Sequence, residues 1–424
     1  MEFSKFGQKF TLKSGILQLM DDLGKLPDAE HPLNMLGGGN PAIIPAINQT
    51  FQQSFAQLGD GFLTSANTYS SPQGDDAFIN ALAGFLNRQG HRDISRKNIA
   101  LTNGSQTAFF YLFNLLSGQY RDAHHKKILL PLAPEYVGYA NVHMDGEHFV
   151  ANRPQIQAST YTDSAGNTHT GFFKYHIDFS RLQIDESIAA ICCSRPTNPT
   201  GNVLDDQEID KLSALSIKHH IPLIIDNAYG QPFPNILFSQ ANFHWQPHII
   251  MCLSLSKIGL PGLRTGIIIA NETIIAAIAS LNAVISLAPN RFGAALMTPL
   301  LESDVIQTMT TQEIQPFYRR KVDFTITHLK ATFGDTPLKI HKPQGAIFLW
   351  LWFPDLPISS IDLYQQLKVA GTIVVPGEYF FPGMDISDYA HAHECIRISY
   401  AQSDEVLLKG IADIARLVKK AYGK

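Results

Sequence analysis

Between about Asn98 and Ala270 the chain repeatedly sets a short, almost unbroken apolar run beside a segment with helical spacing. The runs are "IALTNG", "KILLPLAP", "AAICCS", "PLIIDNA", "IIMCLSLS" and "TGIIIA". A strand with one wet face alternates polar and apolar residues, whereas a strand covered on both faces reads as a continuous apolar run. Helices interleaved with such strands supply the cover. Ser105 opens one helix, with Phe109, Leu112, Phe113 and Leu116 on one side and Gly118 as its stop. Asp205 and Glu208 have the spacing of a capping box ahead of Ile209, Leu212 and Leu215. The expected class is α/β, with a mostly parallel sheet flanked by helices.

The chain has 424 residues, too many for a single pair of layers. Its texture changes after about Leu300. A long helical stretch reaches Phe333, "GAIFLWLWF" and "CIRISYA" read as strands, and Ser403 starts a last helix ending at Lys419 and Lys420. We expect residues 1–55 to form an N-terminal arm and part of a small unit. Residues 56–300 are the expected large unit, and 301–424 a smaller C-terminal α+β unit. Charge is balanced at 33 basic against 37 acidic residues, with no block of one sign, so neither nucleic acid nor an anionic membrane is an expected partner. The first residues lack the apolar core of a signal peptide, and the apolar stretch from Thr273 is interrupted by Asn282, as in a buried core helix. Cys192, Cys193, Cys252 and Cys395 all lie beside apolar residues and read as buried thiols. The expected location is the cytoplasm.

In open α/β sheets, ligands bind beyond the carboxyl ends of the strands. Five such ends carry functional residue types here. "TNGSQT" leads into a helix at Ser105, where the N–H groups of Ser105 and Gln106 suit a phosphate; a plain capped helix reads the same way. "PLAPEYVGY" offers Tyr136 for stacking or for the core. In "SRPTNPTG", Asn198 is either an amide donor or part of an ordinary turn. "IIDNAYG" ends a strand on Asp226, a carboxylate that needs a partner such as a ring N–H⁺, and Tyr229 follows three residues later. "SLSKIGLPGLRTG" combines Ser254 and Ser256 with Lys257, a candidate imine-forming amine, and Arg264, a fixed cation.

Each feature has a bland reading alone. Together they form the set a protein must supply to pyridoxal 5′-phosphate: an amine for the aldehyde, a carboxylate for the pyridinium nitrogen, a stacking ring and a phosphate site.

The order GSQ…PxY…NPTG…DNAY…SxSK…R…R resembles that of the aminotransferases sharing the aspartate aminotransferase fold, and the resemblance spans most of the chain. It implies a large cofactor-binding domain with a smaller α+β domain. It also implies that Lys257 bonds the cofactor and carries the proton, that Asp226 faces the pyridine nitrogen, and that Asn198 and Tyr229 bond the phenolic oxygen. Tyr136 stacks, while Ser105, Gln106, Ser254, Ser256 and Arg264 take the phosphate. Tyr69 in "YSSPQG" reaches a partner subunit's phosphate, which implies a homodimer. Arg397 in "CIRISY" binds the substrate carboxylate, together with Asn198, and the backbone of Gly39 in "GGGNP" approaches the substrate. The implied activity is amino transfer between small aliphatic amino acids (valine, alanine, 2-aminobutyrate) and 2-oxo acids (pyruvate, 2-oxoisovalerate).

Asn290 and Arg291, in "LAPNRFG", depart from the glycines expected there; Arg291 reads either as an exposed loop arginine, the favoured reading, or as a contact for a second substrate carboxylate. The same fold hosts transaminases of other specificity, C–S lyases and non-enzymatic effector sensors. A sensor needs a DNA-binding arm, for which the segment before "GGGNP" leaves little room. "HAHE" at His391 and the pairs His124–His125 and His219–His220 lack metal-site spacing and read as solvated or capping histidines, so no metal is expected.

Overall fold

The structure, a computed structural model, describes residues 2–11, 21–22, 24, 33–121, 124–144 and 147–424. Along the chain the principal strands are β1 (Ile99–Thr102), β2 (His125–Leu130), β3 (Phe149–Ala151), β4 (Gln155–Thr162), β5 (Thr168–His176), β6 (Ile188–Ser194) and β7 (Leu223–Asp226). They continue with β8 (Ile249–Ser254), β9 (Gly266–Ile269), β10 (Lys339–His341), β11 (Phe348–Trp352), β12 (Val375–Pro376) and β13 (Cys395–Ser399).

The larger sheet runs in the order β1-β9-β8-β7-β6-β2, with β3 added beside β2. From β8 to β3 the pairings among these strands are parallel; β9 runs against β1 and β8, and the short strand Gly118–Gln119 runs against β2. All residues of β6, β7 and β8 are buried. The reason is the period-2 geometry of a strand between two helical layers. Ile128, Ile224, Ile250 and Ile268 pack with Phe109, Phe113, Ile275 and Ile278 of the helices Ser105–Leu116 and Glu272–Ile285. Their neighbours Leu129, Ile225, Met251 and Ile267 face the opposite core, with Ile209 and Leu212 of the helix Asp206–His219. That helix carries the capping box formed by Asp205 and Glu208.

Register matters for function. Asp226 of β7 pairs with Cys252 on one side and Ser194 on the other, so the carboxyl ends of β6, β7 and β8 emerge together.

A second, six-stranded sheet runs β12-β13-β11-β10-β5-β4. One hairpin pairs across the boundaries expected from sequence. The hairpin β4–β5 lies within 56–300, yet β5 pairs in parallel with β10, joining the hairpin to the C-terminal strands. Its pairing partners lie 168 residues downstream, Ile340 opposite Phe172 and His341 opposite Phe173, beyond the reach of local patterning. The N-terminal segment is also shared. Asn34–Met35 pairs with Thr372–Ile373, whereas the helix Pro45–Leu58 packs on the helix Phe292–Glu302, where Ser54 Oγ donates to the Leu296 carbonyl at 2.6 Å.

The helix Glu272–Ile285 buries Asn282, whose amide donates to the carbonyls of Pro72 and Leu101. Among the described residues no helix is long and apolar enough to cross a membrane. All four cysteines are buried and unpaired with one another. His391 differs from its expected solvated or capping role. It is buried against the Tyr175 hydroxyl, and desolvation pulls its pKa down to about 3.

Candidate active site

The strand ends open onto a cavity of about 190 Å³ between the two sheets. Lys257 lies just past β8. The Ser254 hydroxyl oxygen accepts the Ser256 N–H at 3.1 Å, fixing the turn that presents the lysine. Lys257 Nζ donates to the Gly39 carbonyl at 2.7 Å and sits 5.5 Å from the centre of the Tyr229 ring. Burial, reinforced by repulsion from Arg397 and only partly offset by Asp226, pulls its pKa down to about 8. The uncharged amine at neutral pH is thereby enriched by more than roughly a hundredfold over an ordinary lysine. That is the condition a nucleophilic amine needs.

Asp226 closes the floor. Its Oδ1 accepts the Ala228 N–H at 3.1 Å and its Oδ2 accepts the Tyr139 hydroxyl at 2.8 Å. Desolvation raises its pKa to about 6; the two hydrogen bonds and Lys257 oppose that rise. Nearby Glu135 accepts from the Ser194 N–H and hydroxyl and from the Tyr136 N–H. Burial pushes Glu135 to about 8, so it is largely uncharged at neutral pH and leaves Asp226 as the anionic carboxylate at the cavity. Sequence reasoning missed both Tyr139 and Glu135, although each lies within three residues of Tyr136 in "PEYVGY".

At one end Arg264 lies across Gly104, in front of the helix that starts at Ser105. A Cβ at Gly104 would come within 2.3 Å of the guanidinium, so this approach requires glycine, and the backbone there has φ 92°. First-turn N–H groups have no partners within a helix, so Ser105 and Gln106 present donors and a positive dipole end beside Arg264 and Ser256. The Gln106 amide is itself occupied, donating to the Gly138 carbonyl at 2.7 Å.

At the other end Arg397 is 4% exposed. Its Nη1 donates to Asn198 Oδ1 at 2.8 Å and its Nη2 to the Gly37 carbonyl at 2.5 Å. Nε has no partner among the described residues. Burial lowers its pKa to about 10, which still leaves it charged at neutral pH.

The structure thus brings Lys257, Asp226, Tyr229, Ser105, Gln106, Tyr136, Asn198, Ser256, Arg264, Arg397 and Gly39 to one cavity. One expected member is not there. Ser254 faces its own turn, because its hydroxyl bonds within the Lys257 loop. Tyr69, expected at a partner subunit's phosphate rather than here, is 81% exposed. Arg291 is neither loose nor in the cavity: it forms an ion pair with Asp75 at 2.8 Å and bonds Thr68.

Buried Arg397, half-buried Lys257 and exposed Arg264 line a cavity that holds one carboxylate, and this excess of positive charge favours anions there. The phosphate cradle, the amine and the strand-end carboxylate fit pyridoxal 5′-phosphate, and Arg397 remains for a second anion.

The family model for aminotransferase class I and II matches residues 34–414. Valine–pyruvate aminotransferase from Escherichia coli (strain K12) is 48% identical over 429 aligned residues, covering all of both chains. The crystal structure of valine-pyruvate aminotransferase from Salmonella typhimurium LT2 is 47% identical, with a TM-score of 0.87 over 97% of this chain and all of that one. A crystal structure from Psychrobacter arcticum 273-4, provisionally named an amino-acid aminotransferase, is 53% identical and superposes with a TM-score of 0.96 over the whole of both chains. This chain belongs to the class I and II aminotransferases and is a pyridoxal-phosphate-dependent transaminase.

Proposed function

We propose that this enzyme exchanges amino groups between small aliphatic amino acids, namely valine, alanine and 2-aminobutyrate, and the 2-oxo acids pyruvate and 2-oxoisovalerate. The two half-reactions alternate in a ping-pong cycle. The relatives named for valine and pyruvate support the reading through similarity over nearly the whole chain. The observation that carries the preference is the fate of Arg291. A dicarboxylate substrate needs a further cation for its distal carboxylate, and Arg291 is already held by Asp75.

Bound pyridoxal phosphate supplies an aldehyde that takes up the amino group and a ring that accepts the electron pair left on Cα. Arg264, Ser256 and the N–H groups of Ser105 and Gln106 hold the phosphate, with the Ser254 hydroxyl supporting the loop. Tyr136 stacks on the ring, and Asn198 and Tyr229 hold the phenolic oxygen. Asp226 keeps the ring nitrogen protonated. Arg397 grips the substrate α-carboxylate beside the backbone of Gly39, and Lys257 Nζ moves the proton.

The cofactor-bearing unit in this reading spans 56–300 without the hairpin 155–176. Residues 1–55 form an arm shared between the two units, and 301–424 form the small unit. The enzyme works as a homodimer in which Tyr69 serves the partner's phosphate. Tyr69 adjoins Ser70, whose hydroxyl bonds the Pro289 carbonyl, and exposed Val284 and Leu287 precede that proline. Sedimentation as a monomer would remove the dimer from the reading. The proposed location is the cytoplasm, where unpaired thiols stay reduced, and cell fractionation checks it.

The substrate test is a half-reaction panel following the cofactor's visible absorbance with each amino acid. Hydrophobic pockets separate neighbouring aliphatic side chains by only ~1–3 kcal/mol per methylene, so alanine, valine and 2-aminobutyrate should all react. Aspartate and glutamate should be slow. If either outpaces valine and alanine, the aliphatic assignment fails.

A further inference from the structure

Tyr139 has no role in the function described so far. It is completely buried, in a short turn after Tyr136. Its ring lies 5.0 Å from Phe109, 5.2 Å edge-on from Phe113 and 6.3 Å from Phe149, so the packing holds its orientation. A phenol hydroxyl in such surroundings needs a hydrogen-bond partner. Phenylalanine would fill the same space without that demand. The partner is Asp226 Oδ2, at 2.8 Å, the carboxylate that also lines the cofactor cavity.

We propose that Tyr139 is a positioning residue for transamination: by donating to Asp226 Oδ2 it keeps that carboxylate charged and fixed, and so decides where the ring proton of the bound cofactor resides. The proposal rests on the reading of Asp226 as the partner of the ring nitrogen.

Two opposing influences act on Asp226. Desolvation favours the neutral carboxyl, and with it an unprotonated ring. Hydrogen bonds to the carboxylate favour the charged form. The Ala228 N–H supplies one such bond and is fixed in the backbone. Tyr139 supplies the other, from an apolar pocket where water has little access to replace it. Burial also raises the phenol's own pKa well above its ordinary value, so Tyr139 remains a proton donor at any pH where the enzyme would work. Without the hydroxyl, the shared proton shifts from the ring nitrogen toward Asp226, and the ring becomes a weaker acceptor of the Cα electron pair.

The experiment loads four proteins with pyridoxal phosphate carrying ¹⁵N in the ring: wild type, Tyr139→Phe, Asp226→Asn and the double variant. It reads the ¹⁵N chemical shift and the single-turnover rate with valine. Tyr139→Phe keeps the ring and its aromatic contacts, so the fold is preserved. Its nitrogen signal should move toward the unprotonated value, and its rate should fall about 10- to 100-fold, the scale of one hydrogen bond to a charged group. In the Asp226→Asn background, adding Tyr139→Phe should leave the nitrogen shift where it is and change the rate by no more than about twofold, because the acceptor charge is already gone. A wild-type nitrogen shift in Tyr139→Phe overturns the proposal. So does an equal slowing in both backgrounds, which would mark Tyr139 as packing alone. If Asp226→Asn itself matches wild type in both readings, the role of Asp226 falls first and the proposal falls with it.

Discussion

Lys257→Ala loses turnover by at least about 10⁴-fold, the upper range for a positioned proton-transfer group, and loses the visible absorbance of the bound cofactor with it. Lys257 is the amine at the cavity whose pKa burial brings down to about 8, and its hydrogen bond is to a neutral carbonyl, that of Gly39, which it can leave without stranding a charge. Borohydride reduction followed by peptide mapping should label this lysine. Label on another lysine, or normal turnover in the variant, removes the assignment. The apoprotein offers a second reading of the same residue. Below about pH 8 both folded and unfolded chains hold the lysine proton, and the folded state bears the full cost of the buried charge. Between about pH 8 and the ordinary lysine pKa the folded state releases its proton first, so stability rises across that window. Lys257→Met, which carries no charge, should therefore be more stable than wild-type apoprotein at pH 7, with the advantage shrinking above pH 8. A constant difference across that range would mean that Lys257 is not held as a buried cation.

Arg397→Lys should weaken amino-acid binding by ~2 kcal/mol or more, about 30-fold, while leaving cofactor absorbance unchanged. The guanidinium lies 4.1 Å from the ring centre of Phe348 and 5.3 Å from that of Phe380. This arrangement fixes the plane in which a carboxylate can be met by two parallel donors. In the structure one donor is held by Asn198 and another by the Gly37 carbonyl, leaving Nε without a partner among the described residues. A substrate carboxylate replaces neutral acceptors with a charged one. Lysine retains the charge but has neither the fork nor the flat face that stacks on Phe348. The measurement is KM and kcat for valine and alanine, with the absorbance spectrum as control. Unchanged constants for both amino acids would refute the role.

Much of this was legible before any coordinates, because it depends on neighbours in the chain. Strands β6, β7 and β8 appear as apolar runs since each is covered on two faces, and the helix at Asp205 is announced by its own capping residues. The placement of Asp226 and Lys257 at strand ends follows from the same runs. Arg397 stands out because an arginine between Ile396 and Ile398 needs a strong partner.

Other features depended on residues far apart in sequence. The hairpin β4–β5 joins the second sheet through a parallel pairing with β10, which no local pattern specifies. Arg291 reads as a loop residue until Asp75, more than two hundred positions earlier, is brought beside it. Ser254 and Ser256 look equivalent in "SLSK", yet the turn directs one hydroxyl inward to its own loop and leaves the other at the cavity. Tyr139 could have been only another aromatic in the core; its bond to Asp226 arises from the packing of β7 against the turn after β2.

The residue types and their order therefore determined the chemistry available to the chain, since an amine, a carboxylate and two guanidinium groups keep their character wherever they stand. Which groups meet, which are already paired and how far their protons are shifted were decided by the tertiary structure. Those properties depend on distance and desolvation, and both are set by contacts between segments that the sequence holds hundreds of residues apart.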